Sequence, residues 1–318
     1  MTQLFQSRPA TDADAVQLCA FLNACSLTHQ VIARYSPDDV VARLHQMDAD
    51  PRLDSFVVFD ADEIVGFANV WRDGDDEIKF FARTHPDARG RGVGSLLLAR
   101  CDGRAAELLP EGRWTTTTWA ADLAGPPLLR EHGYGDVRHY LRMELESRAI
   151  RDDVPAWPPA LECVPLSERP ELDSALYDAW VAAFAGEWGS YTATEEAFWR
   201  ERRDDKDESA YPFDPTLWFL ACDGDEVIGF CLCELSTTET GAIGRVAEIG
   251  VVPARRGTGL GAALLDRGFR ELRRRGAGRI VLDVDAENVT TAIRLYTSAG
   301  MTPQPAFTVW EKTAAAVR

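Results

Sequence analysis

The sequence predicts an α/β fold built twice in tandem, each copy a mixed, mostly antiparallel sheet flanked by helices. Three observations predict it. A short apolar strand, a glycine turn and an amphipathic helix follow one another from Ile249 to Leu272. Strand-like runs joined by short polar turns occur in both halves of the chain and read as hairpins. The glycine turn has a counterpart 167 residues earlier, because Pro86, Arg89, Gly90, Gly92 and Gly94 correspond to Pro253, Arg256, Gly257, Gly259 and Gly261.

In chain order, Arg8 to Asp14 reads as a strand leading into a helix whose apolar stripe is Val16, Leu18, Phe21 and Leu22. Ser55 to Phe59 and Ile64 to Trp71 flank the turn Asp60 to Glu63 and form the first hairpin. Phe219 to Cys222 and Val227 to Cys233 flank Asp223 to Glu226 and repeat it, with Asp62, Glu63, Gly66 and Phe67 matching Asp225, Glu226, Gly229 and Phe230. Between the copies, SRAIRDDVPAWPP combines charge with three prolines and has no apolar period, so it reads as a linker. The expected division is one copy at 1–148, a linker at 149–159 and a second copy at 160–318. Leu260, Leu264, Leu265, Phe269 and Leu272 then give the second copy a helix with one buried face.

Composition narrows the function. A net charge of −17 opposes binding to nucleic acid, whose phosphates demand clustered Lys and Arg. No apolar run approaches the roughly 20 residues of a membrane span, and the opening lacks a secretion signal, so the expected compartment is the cytoplasm. Seven scattered cysteines suit reduced core thiols. Cys231 and Cys233 are two apart in a strand and share a face, but no matching pair or His cluster accompanies them, so no metal is expected.

The second glycine turn carries the chemistry. Glycines leave backbone N–H groups bare, and the following helix adds its partial positive charge, which makes a cradle for phosphate oxygens. A Walker loop would place Lys and Ser or Thr where Ala262 and Ala263 stand, and a dinucleotide fold would space its glycines differently from Gly257, Gly259 and Gly261. The stretch does resemble motif A of the GCN5-related N-acetyltransferases, R/Q-x-x-G-x-G/A, seen as Arg256, Gly259 and Gly261. The resemblance continues through VLDVDAEN to Asn288, Tyr296, Gly300 and Met301.

That resemblance implies acetyl-CoA as donor, a tandem two-domain member of the family and a small-molecule amine as acceptor. Arg256, Gly257, Thr258, Gly259, Leu260 and Gly261 would hold the cofactor's pyrophosphate, with Val251, Asn288 and Tyr296 along the rest of it. Arg89, Gly90, Gly92 and Gly94 would form the corresponding site in the first copy. By the same resemblance, a bulge at Val251 frees its N–H as oxyanion donor, and Tyr296 protonates the departing thiolate, although it could also be core. Tandem members include an enzyme that acetylates the amine of a cysteinyl pseudodisaccharide and others that modify antibiotics. The stretches Ala182 to Gly186 and Phe213 to Pro215 look like the former.

The other candidates are carboxylates and aromatics. Glu248 is the only carboxylate in its apolar strand and reads either as the group that takes the amine proton or as a surface residue. Asp283 and Asp285 alternate with apolar neighbours and leave the strand on one face, as base or as anchors for a cationic substrate. Asn288 also fits a helix N-cap. Glu187, Trp188 and Tyr191, with Phe198 and Trp199, are the expected walls for an amine, or a helical core edge. In the first copy Leu129 stands for Tyr296, Ala121 for Asn288, Thr116 for Asp283, Thr118 for Asp285 and Phe81 for Glu248. Pro126 and Pro127 are expected to interrupt its last helix. Catalysis is therefore expected in the second copy, with the first degenerate; peptide acetylation and a CoA-binding regulator without turnover are the alternatives. Sequence leaves the oligomeric state open.

Overall fold

The computed structural model describes residues 5–28, 35–45, 49–185, 194–203, 211–238, 241–287 and 292–314. The chain forms two compact units, one of Met1–Tyr140 with Ala306–Arg318 and one of Leu141–Pro305. The elements run β1 (Gln6–Pro9), α1 (Ala15–Thr28), α2 (Pro37–Leu44), α3 (Pro51–Asp54), β2 (Ser55–Asp60), β3 (Glu63–Arg72), β4 (Glu77–Thr84), α4 (Val93–Leu108), β5 (Gly112–Trp119), α5 (Gly125–Glu131) and β6 (Gly135–Glu146). They continue with β7 (Glu162–Pro165), α6 (Asp173–Phe184), α7 (Glu195–Arg202), β8 (Trp218–Asp223), β9 (Glu226–Thr238), β10 (Gly241–Val251), α8 (Leu260–Arg274), β11 (Ala277–Asp285), α9 (Ala292–Ser298) and β12 (Thr302–Ala314).

Each unit holds a mixed, mostly antiparallel sheet. In the first unit β1, β2, β3 and β4 pair antiparallel in sequence order, and β4 meets β5 in parallel only from Glu77↔Arg113 to Lys79↔Thr115. In the second, β7 to β10 pair antiparallel, and β10 meets β11 in parallel only from Ala242↔Ala277 to Arg245↔Val281. The last strand of each sheet comes from an unexpected place. Residues 141–146 of β6 lie beside β11 in the second unit, whereas β12 pairs along β5 from Phe307↔Trp119 to Ala314↔Gly112 in the first. The copies read from sequence at 1–148 and 160–318 follow the duplicated segment. The compact units follow the hydrogen bonds instead.

The helices cover apolar faces much as their spacing predicts. In α8, Leu260, Leu264, Leu265, Phe269 and Leu272 are all buried. In α1 the inward stripe is Ala15, Leu18 and Leu22, with Phe21 beside it, while Val16 lies one position off it and is 73% exposed. The prolines of the first unit do not break a helix: Pro126 and Pro127 occupy the first turn of α5, where a missing N–H costs nothing. Cys231 and Cys233 face the same core with Sγ atoms 3.6 Å apart, and among the described residues no group of His, Cys, Asp and Glu is arranged to hold a metal. No described helix is long and apolar enough to cross a membrane.

Candidate active site

The site in the second unit begins where β10 and β11 part. Beyond Arg245↔Val281 the two strands no longer pair, so β10 has a ladder on its β9 side only. Val252 donates its N–H to the Ile228 carbonyl at 3.0 Å. Backbone groups alternate along an antiparallel strand, so Val251 directs its own N–H and C=O to the uncovered edge. The Arg256 guanidinium confirms that direction, because Nε donates to the Val251 carbonyl at 3.1 Å. The Val251 amide is thus freed by the parting of strands. The bulge expected there lies upstream, between Val246 and Glu248.

That bulge decides which side chains face which helix. Gly244 and Val246 turn toward α8, since a Cβ at Gly244 would meet Leu272 at 2.8 Å. After the extra residue Ala247, Ile249 and Val251 turn toward the same core, while Glu248 and Gly250 join Arg245 on the opposite face. A Cβ at Gly250 would lie 2.5 Å from Phe230 Cζ and 2.9 Å from Ala183 Cβ, so α6 packs directly on this backbone.

A cleft of about 310 Å³ opens at the fork, bounded by Ile249, Val251, the glycine turn, Leu295 and Tyr296. Gly257 and Gly259 have φ of +76° and +86°, values that favour glycine, and a Cβ at either would meet nothing within 4 Å. Gly259 caps the N-terminus of the 15-residue α8, whose first two amides, of Leu260 and Gly261, precede the first amides that bond back to the Gly259 carbonyl, those of Ala262 and Ala263. Thr258 donates its hydroxyl to the Arg255 carbonyl at 2.8 Å, and so it shapes the turn. Bare amides, a helix N-terminus and open space together suit a phosphate. Arg256 does more than charge the rim: Nη2 also donates to the Ala183 carbonyl at 2.7 Å, tying α6 to the turn.

Tyr296 is 7% exposed and belongs both to the cleft wall and to the core. It is fixed by the end of α9, where Gly300 has φ of +95° and the Met301 N–H donates to the Tyr296 carbonyl at 3.0 Å. Glu248 and Asp283 share the sheet face opposite α8, and each is held by an arginine. Arg202 Nη2 lies 2.6 Å from Glu248 Oε1, and Arg142 grips Asp283 through two bonds of 2.9 Å. Asp285 accepts from the Glu287 N–H at 2.8 Å and so shapes the turn after β11. Asn288, Glu187, Trp188 and Tyr191 lie outside the described residues.

Three partners were missed from sequence. Arg202 and Arg142 reach Glu248 and Asp283 across 46 and 141 residues, and nothing local marks such a pair. Glu234 is 6% exposed and is paired with Arg245 at 3.2 Å, making a third carboxylate on the same face. The place of Glu234 between buried Cys233 and half-buried Leu235 was the signal available for it.

The first unit repeats the cradle without the phenol. Gly90 and Gly92 have φ of +72° and +90°, and with Arg89 and Gly94 they border a cleft of about 460 Å³. Leu129 stands buried in the wall of this cleft, and Thr116 and Thr118 line it too. The spacing of 167 matched them to Asp283 and Asp285, but Asp283 faces away from α8 and neither carboxylate borders the second cleft, so the two strands are out of step on this count.

Known proteins match both units. Residues 174–301 match the model of the acetyltransferase (GNAT) family, and residues 51–134 match an acetyltransferase (GNAT) domain. A mycothiol acetyltransferase of Sanguibacter keddieii is 32% identical over 313 residues, covering 93% of this chain and 92% of that one. Another, from Thermobispora bispora, is 34% identical over 252 residues, covering 77% and 79%. Among solved structures, a GCN5-related N-acetyltransferase from Sphaerobacter thermophilus superposes with a TM-score of 0.73 at 24% identity, covering 98% of this chain and 96% of the other. A tandem GNAT protein from the clavulanic acid biosynthesis pathway superposes with a TM-score of 0.76 at 18% identity, covering 98% and 99%, and shares the fold.

Proposed function

The chain belongs to the GNAT acetyltransferase family as a tandem, acetyl-CoA-dependent member, and from that premise we propose that its second unit transfers the acetyl group directly to the amine of a small molecule. The observation that carries this reading is a convergence in one cleft. The bare turn, the uncovered Val251 amide and the Tyr296 ring all border it, and the first unit has Leu129 in place of the ring.

In this reading the amides of Gly257 to Gly261 hold the pyrophosphate of acetyl-CoA, and Val251 donates its N–H to the acetyl oxygen as the carbonyl becomes tetrahedral. The neutral amine attacks the thioester carbon, and its proton passes to Glu248 directly or through water. The C–S bond then breaks, and Tyr296 gives its proton to the sulfur. Arg202 keeps Glu248 placed beside the strand, and Asp283 with Arg142 orders the same face. Asn288 along the cofactor and Glu187, Trp188, Tyr191 and Asp285 around the amine complete the proposal. The names of the relatives support a mycothiol-type acceptor. The chemistry calls for no metal, and a chelator is expected to leave the rate unchanged.

Incubating the full chain with acetyl-CoA and separate amines, with mass detection of each product, tests this. The panel is a cysteinyl pseudodisaccharide, an aminoglycoside and a peptide with a free N-terminus. The expected product is the acetylated cysteinyl amine. Acetylation of the peptide alone, or of nothing in the panel, would contradict the reading.

A further inference from the structure

The first unit holds a second chamber, of about 200 Å³, on the face of its sheet opposite the glycine turn. Strand alternation separates the two spaces. Phe80, Ala82 and Thr116 line the cleft under the turn, while Phe81 and Trp119 line the chamber, with α1 and Tyr35 closing it. Arg83 and Thr117 border both, because β4 and β5 have already parted after Lys79↔Thr115.

Two guanidiniums meet in this chamber. Arg83 and Arg43 stack on the Phe81 ring at 4.1 and 4.5 Å, and Arg43 also lies 5.7 Å from the Tyr35 ring. Tyr35 is anchored by Asn23, whose Oδ1 accepts its N–H at 2.8 Å and whose Nδ2 donates to its carbonyl at 2.9 Å. Among the described residues neither arginine bonds to a carboxylate. Arg83 Nη1 donates to the Ala82 carbonyl at 2.8 Å, and Arg43 Nε is buried with no acceptor. Asp122, the carboxylate whose charge Arg83 feels, accepts from the Ala124 and Gly125 amides at 3.1 Å each. Burial pushes the Cys25 thiol up to about 11, so it stays protonated and offers no counter-charge.

An unpaired charge taken out of water is costly, and two close together repel each other. Burial, with the neighbouring Arg43 adding to it, pulls the Arg83 guanidinium below its ordinary value, yet a guanidinium remains charged. The contrast with the second unit sharpens this. There Glu248, Glu234 and Asp283 face the corresponding side and each neutralises an arginine. Here Phe81 stands in the place of Glu248, and among the described residues no carboxylate bonds to Arg43 or Arg83. In a chain of net charge −17, this cationic enclosure answers to an anion.

We propose that this chamber binds a small carboxylate with a flat apolar body, the carboxylate bridging Arg43 and Arg83 and the body lying against Phe81 and Trp119. The fork of two guanidiniums matches a planar carboxylate, and Leu22, Phe81 and Trp119 give its body apolar walls. The volume is below the roughly 300–1,000 Å³ of sites for larger ligands, which excludes a nucleotide. This goes beyond acetyl transfer and does not rest on it.

Titration of the full chain with 4-fluorobenzoate, followed by fluorine NMR, tests the proposal, with inorganic phosphate as a second probe. Saturable binding is expected, weakened at least about tenfold in both Arg83→Gln and Arg43→Gln and unchanged in Gly261→Glu, which alters the other unit. Circular dichroism checks that each variant is folded; should Arg83→Gln fail to fold, Arg43→Gln decides. No saturation by about 10 mM, equal binding in Arg43→Gln, or tighter binding of phosphate than of 4-fluorobenzoate would each overturn it.

Discussion

Tyr296 sits where cleft and core meet, and two substitutions separate those roles. Tyr296→Phe keeps the ring and removes the proton, so kcat should fall roughly 10²- to 10⁴-fold while melting temperature and acetyl-CoA affinity stay near wild type. Tyr296→Ala should also cost about 3 kcal/mol of stability through the cavity. Rates and melting curves for both variants check this, and a fully active Phe variant would remove the phenol from the mechanism. Glu271 provides a test by pH. Bonds from Arg274, outweighing burial, and then from Arg275 hold its carboxyl at about 2, below its ordinary 4.5. Because the folded value is the lower one, its stabilisation is present above about 4.5 and is lost as pH falls through about 2. Glu271→Gln should therefore lose about 1–2 kcal/mol at neutral pH, a figure reduced by the exposure of Arg274, and only a small fraction of that near pH 2. Equal losses at both ends of a pH series of denaturant melts would refute this.

At the level of elements, the strand–turn–helix unit was legible because every signal in it is local. The glycines at positive φ, the apolar stripe of α8 and the hairpins β2–β3 and β8–β9 are each fixed by residues a few positions apart. The reason why Val251 has an uncovered amide was not legible. It depends on where β11 leaves β10, a matter of pairing between distant segments, and the bulge at Ala247 leaves no mark in an ordinary apolar strand. The arginines of Glu248 and Asp283 were hidden for the same reason. The close approach of α6 to β10 can be tested at Gly250, whose backbone lies against Phe230 and Ala183. Gly250→Ala should destabilise the second unit by about 1–3 kcal/mol through overpacking, measured by denaturant melts, and a neutral effect would show that α6 can move away.

At the level of the molecule, duplication was legible as a fixed spacing between glycine turns, but the exchange of final strands was not, because β6 and β12 carry the same kind of strand pattern in both copies. That exchange makes an asymmetric prediction. Truncation after Pro305 removes the segment of β12 that covers β5, so hydrogen exchange should rise in β5 of the first unit, at Arg113 to Trp119, while β8 and β9 of the second stay protected. Increased exchange confined to the second unit would contradict it. The central claim is that chemistry belongs to the second unit alone. Two first-turn glycines test it cleanly, since Gly94 and Gly261 lack the positive φ that would strain any substitution at Gly92 or Gly259. The decisive measurement is the rate of mass-detected acetyl transfer by the full chain carrying Gly261→Glu or, separately, Gly94→Glu, each of which sets a negative side chain at a phosphate cradle. The account predicts turnover lost in Gly261→Glu and kept in Gly94→Glu; a folded Gly261→Glu protein that still acetylates at the wild-type rate would contradict it.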